Sequence, residues 1–219
     1  MPQPRSTPAS PEIFGLYLVL TNPAAGYERC TEAAVKAGVR YVQLRMKNAT
    51  RRDVVEMARR LRTITTGSAT RLIVNDDPDA AMESGADGVH LGQSDEPLPA
   101  VRARCPGLTV FGLSTHNEEQ AAHAPEANPT YIGVGPLFAT PTKAIPDPVL
   151  GPERAGRIIA ATRLTAVAIG GINADNLPRV LAAGAINFAV VRAVCASADP
   201  YAAIRRLQDL YRACRTTEK

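Results

Sequence analysis

Tryptophan is missing from the 219 residues, and the other aromatics amount to four Phe and six Tyr. So sparse a set excludes the aromatic platform on which single-stranded nucleic acid stacks. A basic run is missing too: 25 Lys and Arg against 21 Asp and Glu give a net charge of +4, but they are scattered. That balance suits an anionic small ligand, and no nucleic-acid partner is expected. Cys30, Cys105, Cys195 and Cys214 lie far apart, with neither CxxC pairing nor Cys/His metal spacing. Free thiols in a reducing cytoplasm are the expectation. No apolar stretch approaches the roughly 20 residues of a membrane helix, so no membrane partner is expected. The opening MPQPRSTPASPE has no apolar core of a secretory leader. Residues 1–13 read as a flexible tail rich in Pro and Ser, and 14–215 as one folded domain.

What is present is an alternation of short apolar runs with longer amphipathic stretches. The runs are LYLVL (16–20), YVQLR (41–45), RLIVN (71–75), GVHL (88–91), TVFGL (109–113), YIGVG (131–135), TAVAI (165–169) and NFAVV (187–191). Between them stand helical patterns such as ERCTEAAVKAG, RRDVVEMARRLRTI and ADNLPRVLAAG. A final helix follows Asp199 as N-cap, with Pro200 at its first position. Eight strand-then-helix units in this length predict a closed parallel (β/α)8 TIM barrel. An open doubly wound sheet would often carry a glycine-rich first turn, and Thr21-Asn22-Pro23 has none. Function is therefore sought where the strands end.

Gln43, Arg45 and Lys47 share one side of an extended segment and, aimed into the barrel, would suit a diphosphate. The plainer reading is a strand end with ordinary surface charge. Asp76 and Asp95 follow the third and fourth strands and are candidates to share Mg2+ with a substrate phosphate. Asp77, before Pro78, has the duller task of capping a helix, and Asp79 can complement that helix's dipole. His90 and His116 resemble acid–base groups, although a lone His at a strand end more often makes a structural hydrogen bond. Ser114 can donate to a phosphate oxygen, with Thr115 or Asn117 capping the next helix. The loop over 136–150, carrying Thr140, Thr142 and Lys143, is longer than most connections, which argues for binding or closure. Gly170-Gly171 after the seventh strand and Val191-Arg192 after the eighth lie where barrels commonly bind phosphate. Two anion sites, one cation site and no nucleophile–base set suggest that a diphosphate leaves while a second, phosphorylated substrate attacks.

QLRMK, LIVNDDPDAAMESGADGVHLGQSD, GLSTHN, YIGVGPLFATPTK, AIGGIN and ADPYAAIRRL stand in the order of the thiamine-phosphate synthase family, which the chain resembles from Leu16 to Leu207. The resemblance implies that Gln43, Arg45, Lys47, Asn75, Ser114 and Lys143 hold the aminopyrimidine methyl diphosphate. It implies Mg2+ on Asp76 and Asp95, and the thiazole phosphate on Thr140, Thr142, Gly171, Val191 and Arg192. Among these, Arg45, Lys47, Ser114 and Lys143 carry the catalytic role. The implied reaction is dissociative: diphosphate departs and the thiazole nitrogen captures a pyrimidine methylene cation. Three positions depart from the family pattern, with Met46 for the usual Glu, Asp77 for the usual Arg and Arg192 where many members have Ser. The rivals are a thiazole tautomerase on the same barrel, a phosphate-binding isomerase, and a silent barrel that only binds thiamine phosphate. The tautomerase group carries a catalytic His where this chain has Pro136, which favours the synthase. The implied partners are the two small substrates, with a homo-oligomer left open.

Overall fold

A computed structural model describes residues 10–140 and 148–216. Its strands are β1 (Leu16–Leu20), β2 (Tyr41–Leu44), β3 (Arg71–Asn75), β4 (Gly88–Leu91), β5 (Val110–Thr115), β6 (Tyr131–Val134), β7 (Ala166–Ile169) and β8 (Asn187–Val190). Each pairs in parallel with its chain neighbour, and β1 pairs with β8 to close the barrel. The helices between them are α1 (Tyr27–Lys36), α2 (Arg51–Thr65), α3 (Pro78–Ser84), α4 (Leu98–Arg104), α5 (Glu118–His123), α6 (Pro152–Ala161) and α7 (Leu177–Ala182). The short α8 (Arg192–Cys195) and the long α9 (Pro200–Thr216) follow the last strand. The eight expected strands are all present; β1, β3 and β4 have the expected ends and the other five shift by one or two residues. β2 stops at Leu44, one residue short of expectation, and β5 runs on to Thr115, two beyond it.

Local chemistry explains where helices begin. Asp77 Oδ1 accepts from Ala80 N at 2.9 Å with Pro78 at the first position, and Asn117 and Asp199 accept in the same way from Gln120 and Ala202. Thr50 and Asp53 form a reciprocal capping box at the start of α2. Such caps remove backbone donors that the first helical turn leaves unsatisfied.

Strand parity divides the apolar residues into two sets. Leu18, Leu20, Val42, Leu72, Val74, Val89, Ile132, Phe188 and Val190 face outward and pack against the helices. Tyr17, Val19, Tyr41, Ile73, Val110, Tyr131, Val167 and Ala189 face inward and fill the lumen. A closed barrel of eight strands leaves room for side chains and no pore.

Polar anchors hold the end of the barrel where the strands begin. Asp87, just before β4, is buried and receives Arg62 Nη1 at 3.1 Å, Arg71 Nη1 at 2.9 Å and Leu72 N at 2.8 Å. Glu12 receives Arg40 Nε at 2.9 Å and the Tyr41 hydroxyl at 2.8 Å, while its own N–H donates to Thr165 Oγ1. Glu12, ahead of Phe14, is thus tied to three strand starts, since its carbonyl also accepts from Asn187 Nδ2 at the head of β8.

Asp87→Ala would strand the buried Leu72 N–H and release two arginines that keep contact with water. A loss of about 2–3 kcal/mol is expected, below the figure for a fully buried pair. Urea unfolding measures it, and a cost under about 0.5 kcal/mol would contradict the anchoring role.

Candidate active site at the barrel mouth

The parity that sends Tyr17 and Tyr41 into the lumen also sends Gln43 and, one step past β2, Arg45 inward. Gln43 pairs with Ile73, which brings Arg45 level with Asn75 on β3; Asn75 pairs with His90 on β4, and Ser114 lies two residues beyond Gly112, the partner of His90 on β5. Gln43 is buried, and its Nε2 donates to Tyr17 Oη at 3.0 Å. Tyr17 Oη lies 2.7 Å from Tyr131 Oη, which lies 3.0 Å from His90 Nδ1. His90 Nε2 is 2.9 Å from Ser114 Oγ. A continuous line of hydrogen bonds thus crosses the lumen from β2 to β5. Gly112 makes it fit, since a Cβ there would stand 2.3 Å from His90 Nδ1 and 2.4 Å from Tyr131 Oη. Burial raises both tyrosine hydroxyls, so each stays protonated. Burial likewise pushes His90 down to about 4, with Asp76 acting weakly the other way.

Charge gathers above this line. Asp76, at a left-handed φ of 63°, accepts from Lys47 Nζ at 2.9 Å and anchors its own N–H on the His90 carbonyl. Asp95 accepts from Gly92 N at 2.6 Å. Its carboxyl is held above the usual range, first by burial and then by the neighbouring Asp76 carboxylate, against the lowering effect of that backbone bond. Arg45 is half-buried, and its Nη1 has no hydrogen-bond partner among the described residues. Burial lowers its pKa, and Asp76 partly offsets this. A guanidinium donor that has left water without finding a partner is poised for an anion.

The opposite part of the rim comes from β6, β7 and β8. Leu137 N and Phe138 N bond to the carbonyls of Ile169 and Gly170, laying the start of the long loop against the end of β7. Gly170 and Gly171 have φ of 107° and 68°, and a Cβ on Gly171 would come within 2.7 Å of Phe138 Cβ. The glycine pair therefore has a packing role beside any approach to an anion. Asn173 Oδ1 accepts from the N–H groups of Asp175 and Asn176, setting the turn into α7. Val191 precedes α8, and Arg192 opens it with no ion pair among the described residues. Thr140 is described at the edge of the loop, while Thr142 and Lys143 lie outside the described residues.

Two clusters are thereby assembled: Lys47–Asp76–Asp95 beside Arg45, and Gln43 joined to Ser114 through the lumen. Among the described residues no hydrogen bond or ion pair joins Gly171, Val191 or Arg192 to either cluster, although Val191 packs against the lumen residues. Sequence reading missed Tyr17 and Tyr131 as parts of the site, although strand parity with Gln43 was a usable signal. It missed Gln93, whose Nε2 donates to the Ser114 carbonyl, and Arg51, whose Nε meets Asp77 Oδ2 at 2.8 Å. His116 Nδ1 is 2.7 Å from the Gly135 carbonyl, the structural type of contact.

Residues 16–194 match the model of the family described as thiamine monophosphate synthase. The chain is 41% identical over 198 residues to a thiamine-phosphate synthase of Albidiferax ferrireducens, covering 89% of this chain and 90% of that one. It is 38% identical over 212 residues to a thiamine-phosphate synthase of Roseiflexus, covering 94% and 90%. Among solved structures, thiamine phosphate pyrophosphorylase from Pyrococcus furiosus superposes with a TM-score of 0.83 at 30% identity, covering 92% of this chain and 96% of the other.

The depressed His90 pKa sets a pH dependence. The unfolded imidazole titrates near 6.5 and the folded one near 4, so the unfolded state binds the proton first as pH falls. This contribution is complete above pH 6.5 and is lost between there and pH 4, amounting to at most about 3 kcal/mol. Melting temperatures of wild type and His90→Asn across that window check it. An equally steep fall in the variant would refute the attribution.

Proposed function

The chain belongs to the thiamine monophosphate synthase family, and we propose that its barrel mouth performs the family's transfer as a dissociative substitution. The substrates are a pyrimidine bearing a diphosphooxymethyl group and a thiazole ethyl phosphate, with or without a carboxylate. The bond between the methylene carbon and the diphosphate oxygen breaks, and its electron pair leaves with the diphosphate. The thiazole nitrogen then supplies the pair that forms the new carbon–nitrogen bond. The products are thiamine phosphate and diphosphate, and no protein base is required for bond formation. The observation that carries this reading is Arg45: a half-buried guanidinium with an unpartnered Nη1, set beside Asp76.

In this reading Gln43, Arg45, Lys47, Asn75, Ser114 and Lys143 surround the pyrimidine diphosphate. Thr140, Thr142, Gly171, Val191 and Arg192 take the thiazole phosphate. Arg45, Lys47 and Lys143 stabilise charge that grows on the departing diphosphate, the largest contribution available to a site without a nucleophile. Asp76 and Asp95 fit a resident Mg2+: both offer hard oxygen donors, and burial followed by the neighbouring Asp76 carboxylate raises the Asp95 pKa, a cost that a cation would relieve. Among the described residues no third acidic, His or Cys group joins them, so substrate oxygens and water would complete the shell. Bound there, Mg2+ would neutralise diphosphate charge as a Lewis acid. Lys47 bridges the two kinds of charge, because its ammonium already rests on Asp76 and would turn to phosphate oxygens when these arrive.

Four free cysteines support a reducing, cytoplasmic setting. No helix among the described residues is long and apolar enough to cross a membrane.

Asp95→Asn and Arg45→Ala are each expected to lower kcat/KM by about 100-fold or more while the fold persists. In Asp95→Asn the Mg2+ concentration for half-maximal rate should also rise. Steady-state kinetics across a Mg2+ series checks both, and near-wild-type rates in either variant would remove that residue from the machinery.

A further inference from the structure

The hydrogen bonds that cross the lumen have a direction, which follows from counting protons. Gln43 Nε2 donates to Tyr17 Oη at 3.0 Å. The single Tyr17 proton then has one remaining partner, Tyr131 Oη, 2.7 Å away. The single Tyr131 proton is left for His90 Nδ1 at 3.0 Å. An imidazole that accepts at Nδ1 carries its proton on Nε2 and donates to Ser114 Oγ at 2.9 Å. The Ser114 proton is thus left free to point out of the chain.

The opposite polarity reverses every bond at once. The Gln43 amide would turn its oxygen to Tyr17, and Ser114 would spend its proton on His90 Nε2. An imidazolium would donate at both nitrogens, with the tyrosines turned toward a flipped Gln43 amide and Ser114 accepting, and burial of the ring disfavours that charged form. The amide orientation at β2 therefore decides what the hydroxyl at β5 can offer.

We propose that this line, Gln43–Tyr17–Tyr131–His90–Ser114, keeps one polarity, and that His90 is a positioning residue holding Ser114 Oγ as a donor to the pyrimidine substrate. The substrate atom that receives it is an acceptor, either a ring nitrogen or a diphosphate oxygen. Holding the proton outward in advance removes the need to reorient the hydroxyl when substrate binds. The role of Ser114 as a substrate contact rests on the function proposed above, whereas the polarity of the line does not.

The test has two arms. In the first, nitrogen-15 NMR of the histidine-labelled wild-type protein at pH 7 should show His90 neutral, with its proton on Nε2. A proton on Nδ1, or on both nitrogens, would overturn the polarity. The second is a double-mutant cycle. Tyr131→Phe should raise the KM for the pyrimidine diphosphate about 5- to 10-fold and leave that for the thiazole phosphate unchanged. The same change in a Ser114→Ala background should add nothing, because the hydroxyl it orients is gone. Additive losses would reduce Tyr131 to a packing role and overturn the positioning. An unchanged pyrimidine KM in Ser114→Ala alone would overturn the substrate-contact reading instead, whatever tautomer the first arm finds.

Discussion

Closure of the barrel is the constraint on which the rest depends. Once β1 pairs with β8, every strand has an inner face, and each inner side chain must either fill the lumen or reach its mouth. Alternation then leaves little choice. The steps that bury Tyr17, Tyr41, Ile73 and Tyr131 bring Gln43, Arg45, Asn75, His90 and Ser114 toward the ends of their strands. Polar groups within such a lumen are tolerable only if they satisfy one another. The tyrosines, His90 and Gln43 do so, and in doing so they give the floor of the mouth a fixed geometry. Charged groups sit above, where water and an incoming anion can reach them.

The two ends of the barrel use charge differently. At the strand starts, Asp87 and Glu12 are satisfied by arginines, a tyrosine and backbone N–H groups, and these contacts serve stability. At the strand ends, Arg45 keeps a buried donor unpaired and two carboxylates face each other. Unsatisfied donors and crowded like charges cost stability, and such costs collect where a ligand resolves them. The departures from the family pattern fit this division. Asp77 caps α3 and is neutralised by Arg51, so the charge change does not reach the mouth unscreened. Met46 packs against the outer core.

Much of this was legible in the sequence because it is local. The strands announced themselves by apolar runs, and the caps at Asp77, Asn117 and Asp199 by residue type and spacing. Asp76 and Asp95 could be considered together from their places after successive strands, and burial followed by the nearby Asp76 carboxylate raises the Asp95 pKa. What was not legible depends on partners distant in the chain. Glu12 was assigned to a tail because nothing nearby reveals that Arg40, Tyr41, Thr165 and Asn187 receive it. His90 gave no visible partner, since Tyr131 and Ser114 arrive from β6 and β5. The glycine pair suggested an anion, and the structure adds the close approach of Pro136 and Phe138, which no local pattern encodes.

The central claim is that this mouth couples loss of diphosphate from the pyrimidine to capture by the thiazole. Phosphorus-31 NMR of purified protein with both substrates and Mg2+ tests it most directly. Diphosphate and thiamine phosphate should accumulate in a one-to-one ratio. Absence of both, or diphosphate appearing without thiamine phosphate, would contradict the account.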